Sequence, residues 1–410
     1  MVLNIKYWLK ISLLNLCIVA LLGILMRYKI GFEFPYLDQK HLQHSHSHFA
    51  FAGWLGHTLM VLMAYFIETK ITDFHGNKYK KIIIANLICS YGMLISFIIE
   101  GYGLVSIALS TASIFVSYIF AYRFIKDLKL LDNDLLAKSW FKAALFFNVI
   151  SSLGTFYLGY MMATKNVVQD WYLSSIYYYL HFQYNGWFFF ACMGLAFGFF
   201  NLRKSEHPFY ETSFKLFAIA CVPAYFLSTL WLDLPLWIYV ITVIAAVIQV
   251  FTWFKLLQIL VKTRKNTFEN YSPLLRYILL FVSFALSVKL LLQLGSTVPL
   301  ISHLAFEFRP IVIAYLHLIL LGIITLFLLF YIYSNHLIVI NKKIKYGILL
   351  FSIGVLLNEV VLAVQGFASL SYIMIPYVNE ILFGVAIILF IGIGITARYS
   401  IKKVKNNPPL

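Results

Sequence analysis

The chain has 410 residues, of which 62% are hydrophobic and only 12% are charged. Apolar runs of about 20 residues, the length that a helix needs to cross a bilayer, recur from one end to the other. This composition excludes a soluble globular protein. It predicts an all-α polytopic membrane protein that forms a single domain over residues 1–410, because helices satisfy every backbone polar group inside lipid.

The apolar runs predict twelve transmembrane helices. They lie at residues 9–28, 46–68, 81–100, 103–123, 140–163, 174–200, 213–231, 236–260, 275–295, 309–334, 345–366 and 377–398. The first run lacks a small-residue cleavage site and is too long for a signal peptide, so it is retained as a helix. The four cysteines fall inside apolar runs without CxxC spacing, which indicates core residues rather than disulfides or a metal site.

Positive charge is divided unevenly between the two sets of loops. With the N-terminus assigned to the cytoplasm, 26 of the 32 Lys and Arg residues fall on the cytoplasmic side and five on the outer side, while Lys289 lies within a helix. Loops rich in Lys and Arg remain in the cytoplasm. The division predicts cytoplasmic N- and C-termini in the inner (plasma) membrane. The net charge of +16 therefore reflects topology, with membrane lipid and not nucleic acid as the partner.

A histidine motif recurs near the starts of helices 2, 6 and 10. A histidine is followed five residues later by a glycine at 48 and 53, at 181 and 186, and at 317 and 322, and a tryptophan follows the first two glycines. The predicted topology places all three histidines in the outer third of the membrane. A motif that returns every fourth helix indicates three four-helix repeats, so the sequence predicts a pseudo-threefold bundle.

These histidines are the leading candidates for metal ligands. Ionisable groups inside a membrane are costly and usually functional, and neutral imidazole binds iron, copper and zinc. Two histidines on facing helices can take both axial positions of a haem. The pattern therefore predicts that at least two of the three motif histidines hold a haem. His44 and His48 share a helix face while His46 points away, so a surface zinc site at that pair is an alternative.

At these residues the chain resembles the haem-copper oxidase superfamily, and it is closest to the nitric oxide reductase-like members. The resemblance spans the topology of the whole chain and rests on the three short motifs. It implies twelve helices, threefold pseudosymmetry and an outer haem layer. In that family a helix-2 histidine is one ligand of the low-spin haem. His48 matches it, with His46 and His44 as rival registers. The second histidine of a helix-10 His-x-His is the other ligand, and His317, in AYLHL at 314–318, matches it. The resemblance therefore implies one low-spin haem b between His48 and His317.

The chain departs from this family at the second metal site. The first histidine of His-x-His, which holds the high-spin haem, is Tyr315 here. Helix 6 reads LHFQYNG at 180–186 and resembles HLWVEG, but Asn185 replaces the glutamate. Helix 7 lacks the paired histidines. His181 is the one expected ligand left for a second haem, copper or iron. Because tyrosinate can ligate haem iron, Tyr315 is retained as a haem-binding candidate.

Three further polar residues complete the predicted site. Arg309 precedes Pro310 at the mouth of helix 10 and is suited to a haem propionate, because guanidinium binds carboxylates in a bidentate manner. Lys289 and Glu359 lie at similar depth and are expected to pair across the bundle. The chain contains no CxxCH motif, so electrons are expected from a quinol or a separate cytochrome, with partner subunits possible.

Three functions follow from these observations. The leading hypothesis is a membrane haem protein that acts in electron transfer or in gas or redox sensing. The first alternative is an enzyme, a terminal oxidase or nitric oxide reductase whose altered site uses His181, Tyr315 and Asn185. The second alternative is a haem-free transporter or metal-handling protein that uses the His44–His48 cluster.

Overall fold

The computed structural model describes residues 4–71, 77–299, 301 and 308–401. These ranges form a helical bundle without a strand, apart from one isolated bridge between Leu135 and Arg203. We number the long helical segments α1 to α12. They are α1 Ile5–Gly31, α2 Gln39–Glu68, α3 Asn77–Glu100, α4 Leu104–Leu128, α5 Ala137–Thr164, α6 169–199, α7 208–229, α8 Leu236–Thr263, α9 Pro273–Gly295, α10 Arg309–Ser334, α11 Lys342–Leu370 and α12 Val378–Ile401.

Ten of these segments are long and apolar enough to cross a membrane. The segment α7 makes an eleventh if its two parts, Pro208–Cys221 and Pro223–Thr229, are counted as one span. They meet at an angle of 44° because Pro223 lacks a backbone N–H and cannot continue the preceding helix. The segment α6 is not among the ten. The structure thus confirms an all-α polytopic protein, while the predicted number of twelve spans stays a prediction.

The polar HSHSH run lies inside α2 and not at its boundary. The helix begins at Gln39, seven residues before the predicted start, because the Asp38 carboxylate accepts hydrogen bonds from the backbone N–H groups of Lys40 (2.8 Å) and His41 (2.9 Å). The cap adds two turns to the helix. It fixes the three alternating histidines at 44, 46 and 48 in helical geometry, so that they point in different directions.

Consecutive helices pack against each other along the whole chain, and α12 packs against α1, so the twelve segments close into a ring. The helices α2, α6 and α10 also contact one another inside this ring. The second part of α2 packs on the last part of α6, and α6 packs on α10. Trp54 of α2 donates a hydrogen bond of 2.9 Å from Nε1 to Thr325 of α10. This is the arrangement that three repeats of four helices would give.

Burial separates the central helices from the peripheral ones. In the most apolar part of α2, 78% of residues are buried inside the protein, against 17% in α4. The helix α4 presents Leu104, Phe115 and Tyr122 outward, as expected of a lipid-facing helix. The histidine motifs therefore lie on the central helices. We call the end of the bundle that carries residues 32–38 and 101–103 the near end.

Candidate functional site

The three motif histidines occupy the same backbone feature. Directly after His48, His181 and His317 the helix widens from α to π geometry, over Phe49–Gly56, Phe182–Phe188 and Leu318–Thr325. Wide π turns are rare and concentrate at functional sites. The recurrent spacing in the sequence thus corresponds to a repeated structural unit. The π turns themselves were not predicted, since no residue type marks them.

The motif glycines accommodate aromatic rings. A Cβ atom at Gly53 would lie 2.7 Å from the ring of Phe49 on the same helix. At Gly186 it would lie 2.5 Å from Cβ of Phe147 on α5. Gly322 has only ordinary contacts, the nearest at 3.6 Å. The first two glycines are therefore required for close packing of phenylalanine side chains.

His46 of α2 and His317 of α10 lie near enough to each other for their charges to interact. His317 donates from Nδ1 to the backbone oxygen of Ile313 at 2.8 Å, which leaves Nε2 as the nitrogen available to a ligand. The ring of His46 lies beside α1, with Cε1 3.8 Å from the Cβ position of Gly23. Its Nδ1 is buried and makes no hydrogen bond of normal geometry among the described residues, although the ring interacts with the backbone of Val19 on α1.

The side chains around this pair are only half-buried. His46, Tyr315 and His317 all keep accessible surface. The first two turns of α10, Arg309–His317, contain no buried residue. The ring of Tyr315 meets that of Tyr184 edge-on at 6.3 Å.

Two guanidinium groups lie at the near end of this pair. Arg309 donates from Nη2 to Oε1 of Gln43 on α2 at 2.9 Å. Arg27 of α1 is close enough to act electrostatically on His46, His317 and Arg309. Arg27 was missed as a site residue in the sequence, where it appears only as one of five outer basic residues. Arg27 lies on α1, and nothing in the sequence around it indicates that it lies near α10.

His48 and His44 face a different part of the protein. His48 stacks on Phe97 of α3 at a ring distance of 4.3 Å, and its Nε2 lies 3.1 Å from the hydroxyl of Tyr102. The ring of His44 contacts Tyr102 edge-on at 4.5 Å. The structure thus places His48 and His44 against α3 and the segment that follows it, and the pairing of His48 with His317 stays a prediction. His46 is two residues earlier, about 200° around the helix, and therefore projects from the opposite face, toward α1.

His181 is enclosed by hydrogen bonds. Its Nε2 donates to the backbone oxygen of Cys221 at 2.9 Å, and its Nδ1 accepts from Nδ2 of Asn185 at 3.1 Å. Both ring nitrogens are therefore engaged. The described residues contain no group of three or more His, Cys, Asp or Glu side chains that could hold a metal ion. His181, Tyr315 and Asn185 do not assemble into a multi-ligand metal site.

Lys289 lies close to this corner and not to Glu359. Its charge acts on His181 and Cys221, and together with Asn185 and Gln249 it lines a gap with room for about one water molecule. Glu359 instead accepts a hydrogen bond of 3.1 Å from its neighbour Asn358. The expected pair is therefore wrong, because Lys289 points toward α7 and α8 while Glu359 interacts within α11.

Comparisons with known proteins do not identify the chain. No protein-family model matches it, and no curated protein matches it either. The functional argument consequently rests on the geometry of the central helices.

Proposed function

We propose that the protein is a membrane haem protein that holds one low-spin haem b between α2 and α10, with His46 and His317 as axial ligands. The observation that carries the proposal is that these two imidazoles lie near each other between α2 and α10, with Nε2 of His317 left available by the Nδ1 hydrogen bond to Ile313. His46 thus takes the place of His48, the α2 ligand of the sequence-based prediction. The resemblance to haem-copper oxidases is kept, because it left His46 as a rival register.

The residues around His46 and His317 are suited to a haem. The His46 ring interacts with the backbone of Val19 on α1, the kind of contact that orients an imidazole whose other nitrogen binds a metal. Arg27 and Arg309 supply positive charge where two propionates would lie. A haem held by two imidazoles supplies reversible one-electron transfer. Tyr315 lies two positions before His317 and packs its ring edge-on against Tyr184 at 6.3 Å.

Electron transfer or redox sensing is favoured over gas reduction. A reductase needs a second metal next to an open haem position, and the residues resembling that site are used otherwise. Both nitrogens of His181 are hydrogen-bonded, and Asn185 serves as one of the donors. The charge distribution supports an orientation in which the near end lies on the outer side of the inner (plasma) membrane, with a quinol or cytochrome as electron donor.

The test is a reduced-minus-oxidised visible spectrum and a pyridine haemochrome count on purified full-length protein from a haem-sufficient host. We expect one haem per chain with sharp low-spin bands, and none in His317→Ala. His336→Asn is the matched control, because this exposed residue has a positive φ of 53°, which asparagine tolerates.

Two other results would overturn this proposal in different ways. Two haems per chain, or a band that reacts with carbon monoxide, would support the oxidase or nitric oxide reductase alternative. Colourless protein would contradict haem binding and leave the transporter or metal-handling function.

A further inference from the structure

A second group of possible ligands lies on the opposite face of α2 from His46. His44 and His48 are four residues apart, so their side chains project from adjacent turns of one helix face. Tyr102, in the segment that joins α3 to α4, packs against both. Its ring meets that of His44 at 4.5 Å, and its hydroxyl lies 3.1 Å from Nε2 of His48.

The distance between these atoms is close to that of two ligands on one zinc ion. Zinc binds imidazole nitrogen at about 2.0–2.1 Å in a tetrahedral arrangement, which puts neighbouring ligand atoms about 3.3 Å apart. Nε2 of His48 and the Tyr102 oxygen are separated by 3.1 Å. They can therefore occupy two corners of the tetrahedron with only a small displacement, and His44 lies against the same phenol ring.

The surroundings hold these side chains in place and leave them accessible. Phe97 is fully buried and stacks on His48 with an interplanar angle of 22°, which fixes the plane of the imidazole. Phe97 also contacts Tyr102 edge-on at 5.1 Å. Tyr102 itself is 58% exposed, so an ion can reach the group from outside and keep a water molecule as its fourth ligand.

We propose that His44, His48 and Tyr102 form a binding site for Zn²⁺ at the near end of the bundle. The set of two imidazoles and one phenol oxygen selects borderline cations such as zinc over Mg²⁺ and Ca²⁺, which prefer carboxylates and carbonyls. The Tyr102 oxygen is essential to the set, because no third His, Cys, Asp or Glu joins the pair among the described residues. A bound ion would tie α2 to the connection between α3 and α4.

The experiment is isothermal titration of chelator-washed, full-length protein in detergent with Zn²⁺, and with Mg²⁺ as the competing cation class. We expect one Zn²⁺ per chain and no response to Mg²⁺. His44→Ala and His48→Phe abolish binding, and the second variant keeps an aromatic ring on Phe97. Tyr102→Phe weakens binding by roughly tenfold or more. His336→Asn binds as the wild type does.

Several outcomes would overturn the site. The proposed site is wrong if the wild-type protein takes up no Zn²⁺. It is also wrong if Zn²⁺ binding survives in both histidine variants. Binding unchanged in Tyr102→Phe would contradict the three-ligand set. The haem spectrum serves as the folding control, since His44→Ala and His48→Phe remove no haem ligand in our account. Loss of Zn²⁺ with an intact spectrum thus separates this site from the haem site.

Discussion

The same histidine motif has different surroundings at His181 and at His317. At His181 the imidazole is closed off by Cys221 and Asn185, and the surrounding residues are buried. At His317, Nδ1 donates a hydrogen bond to the backbone of its own helix, which leaves Nε2 available. This histidine lies in a stretch of α10 without a buried residue. Both histidines precede a π turn. The backbone feature is therefore shared, and the neighbouring side chains decide whether the imidazole is structural or available.

The largest expected effect separates these two histidines by haem content. His317→Ala should lose the haem completely, whereas His181→Ala should retain it, because both ring nitrogens of His181 are hydrogen-bonded to neighbouring residues and Nε2 of His317 is left available. Haemochrome counts on both purified variants measure the difference. Loss of haem from His181→Ala alone would reverse the comparison and favour the reductase alternative.

The next effect is on stability and has the opposite order. His181→Ala leaves the Cys221 carbonyl and the Asn185 amide without their partner inside the bundle, which costs about 1–3 kcal/mol for each unsatisfied buried group. We expect it to lower the free energy of unfolding more than His336→Asn does, as measured by denaturant titration in detergent. Equal stability of the two variants would contradict a structural role for His181.

A smaller effect is expected at Arg27 and Arg309, the two arginines near His46 and His317. Arg309→Gln removes an exposed charge, so haem should dissociate roughly fivefold faster, equivalent to about 1 kcal/mol. Arg27→Gln should have the larger effect because Arg27 is less exposed and acts on both His46 and His317. Haem transfer to an acceptor protein gives the rates. Rates that match the wild type in both variants would rule out propionate contacts.

The smallest effect concerns the cap that sets the start of α2. The backbone N–H groups of His41 and then Lys40 lower the pKa of Asp38 below its ordinary value of 3.8. A lowered pKa stabilises the fold above the ordinary value, and this contribution is lost as the pH falls through the lowered one. Hydrogen-exchange protection in the first turn of α2 should therefore decrease at such pH, and Asp38→Asn should keep it, because asparagine caps without titrating. Protection that falls equally in Asp38→Asn would contradict this role of the carboxylate.

Much of the fold could be predicted from the sequence, because long apolar runs and helix connections are local signals. The runs located all twelve long helical segments, and the spacing of histidine and glycine identified α2, α6 and α10 as equivalent. The rotation of α2 was not predictable. His44, His46 and His48 lie on different faces, and contacts such as Trp54 with Thr325 decide which face meets α10. Alternation in the sequence carries no information about that choice.

Long-range proximity was the other limit. Arg27 on α1 acts electrostatically on His317, although it lies 290 positions before it in the chain. Lys289 and Glu359 have similar predicted depth, but the two side chains point to different neighbours. Depth in the membrane follows from the sequence, while direction around a helix axis follows from packing.

The most direct test of the central claim compares the haem content and reduced spectrum of His46→Ala and His48→Ala. The two residues are two positions apart on one helix, so expression, insertion and depth are matched. Our account predicts that His46→Ala loses the low-spin haem and that His48→Ala retains it with unchanged bands. Haem retained in His46→Ala and lost in His48→Ala would contradict the proposed ligand pair and restore the His48 register.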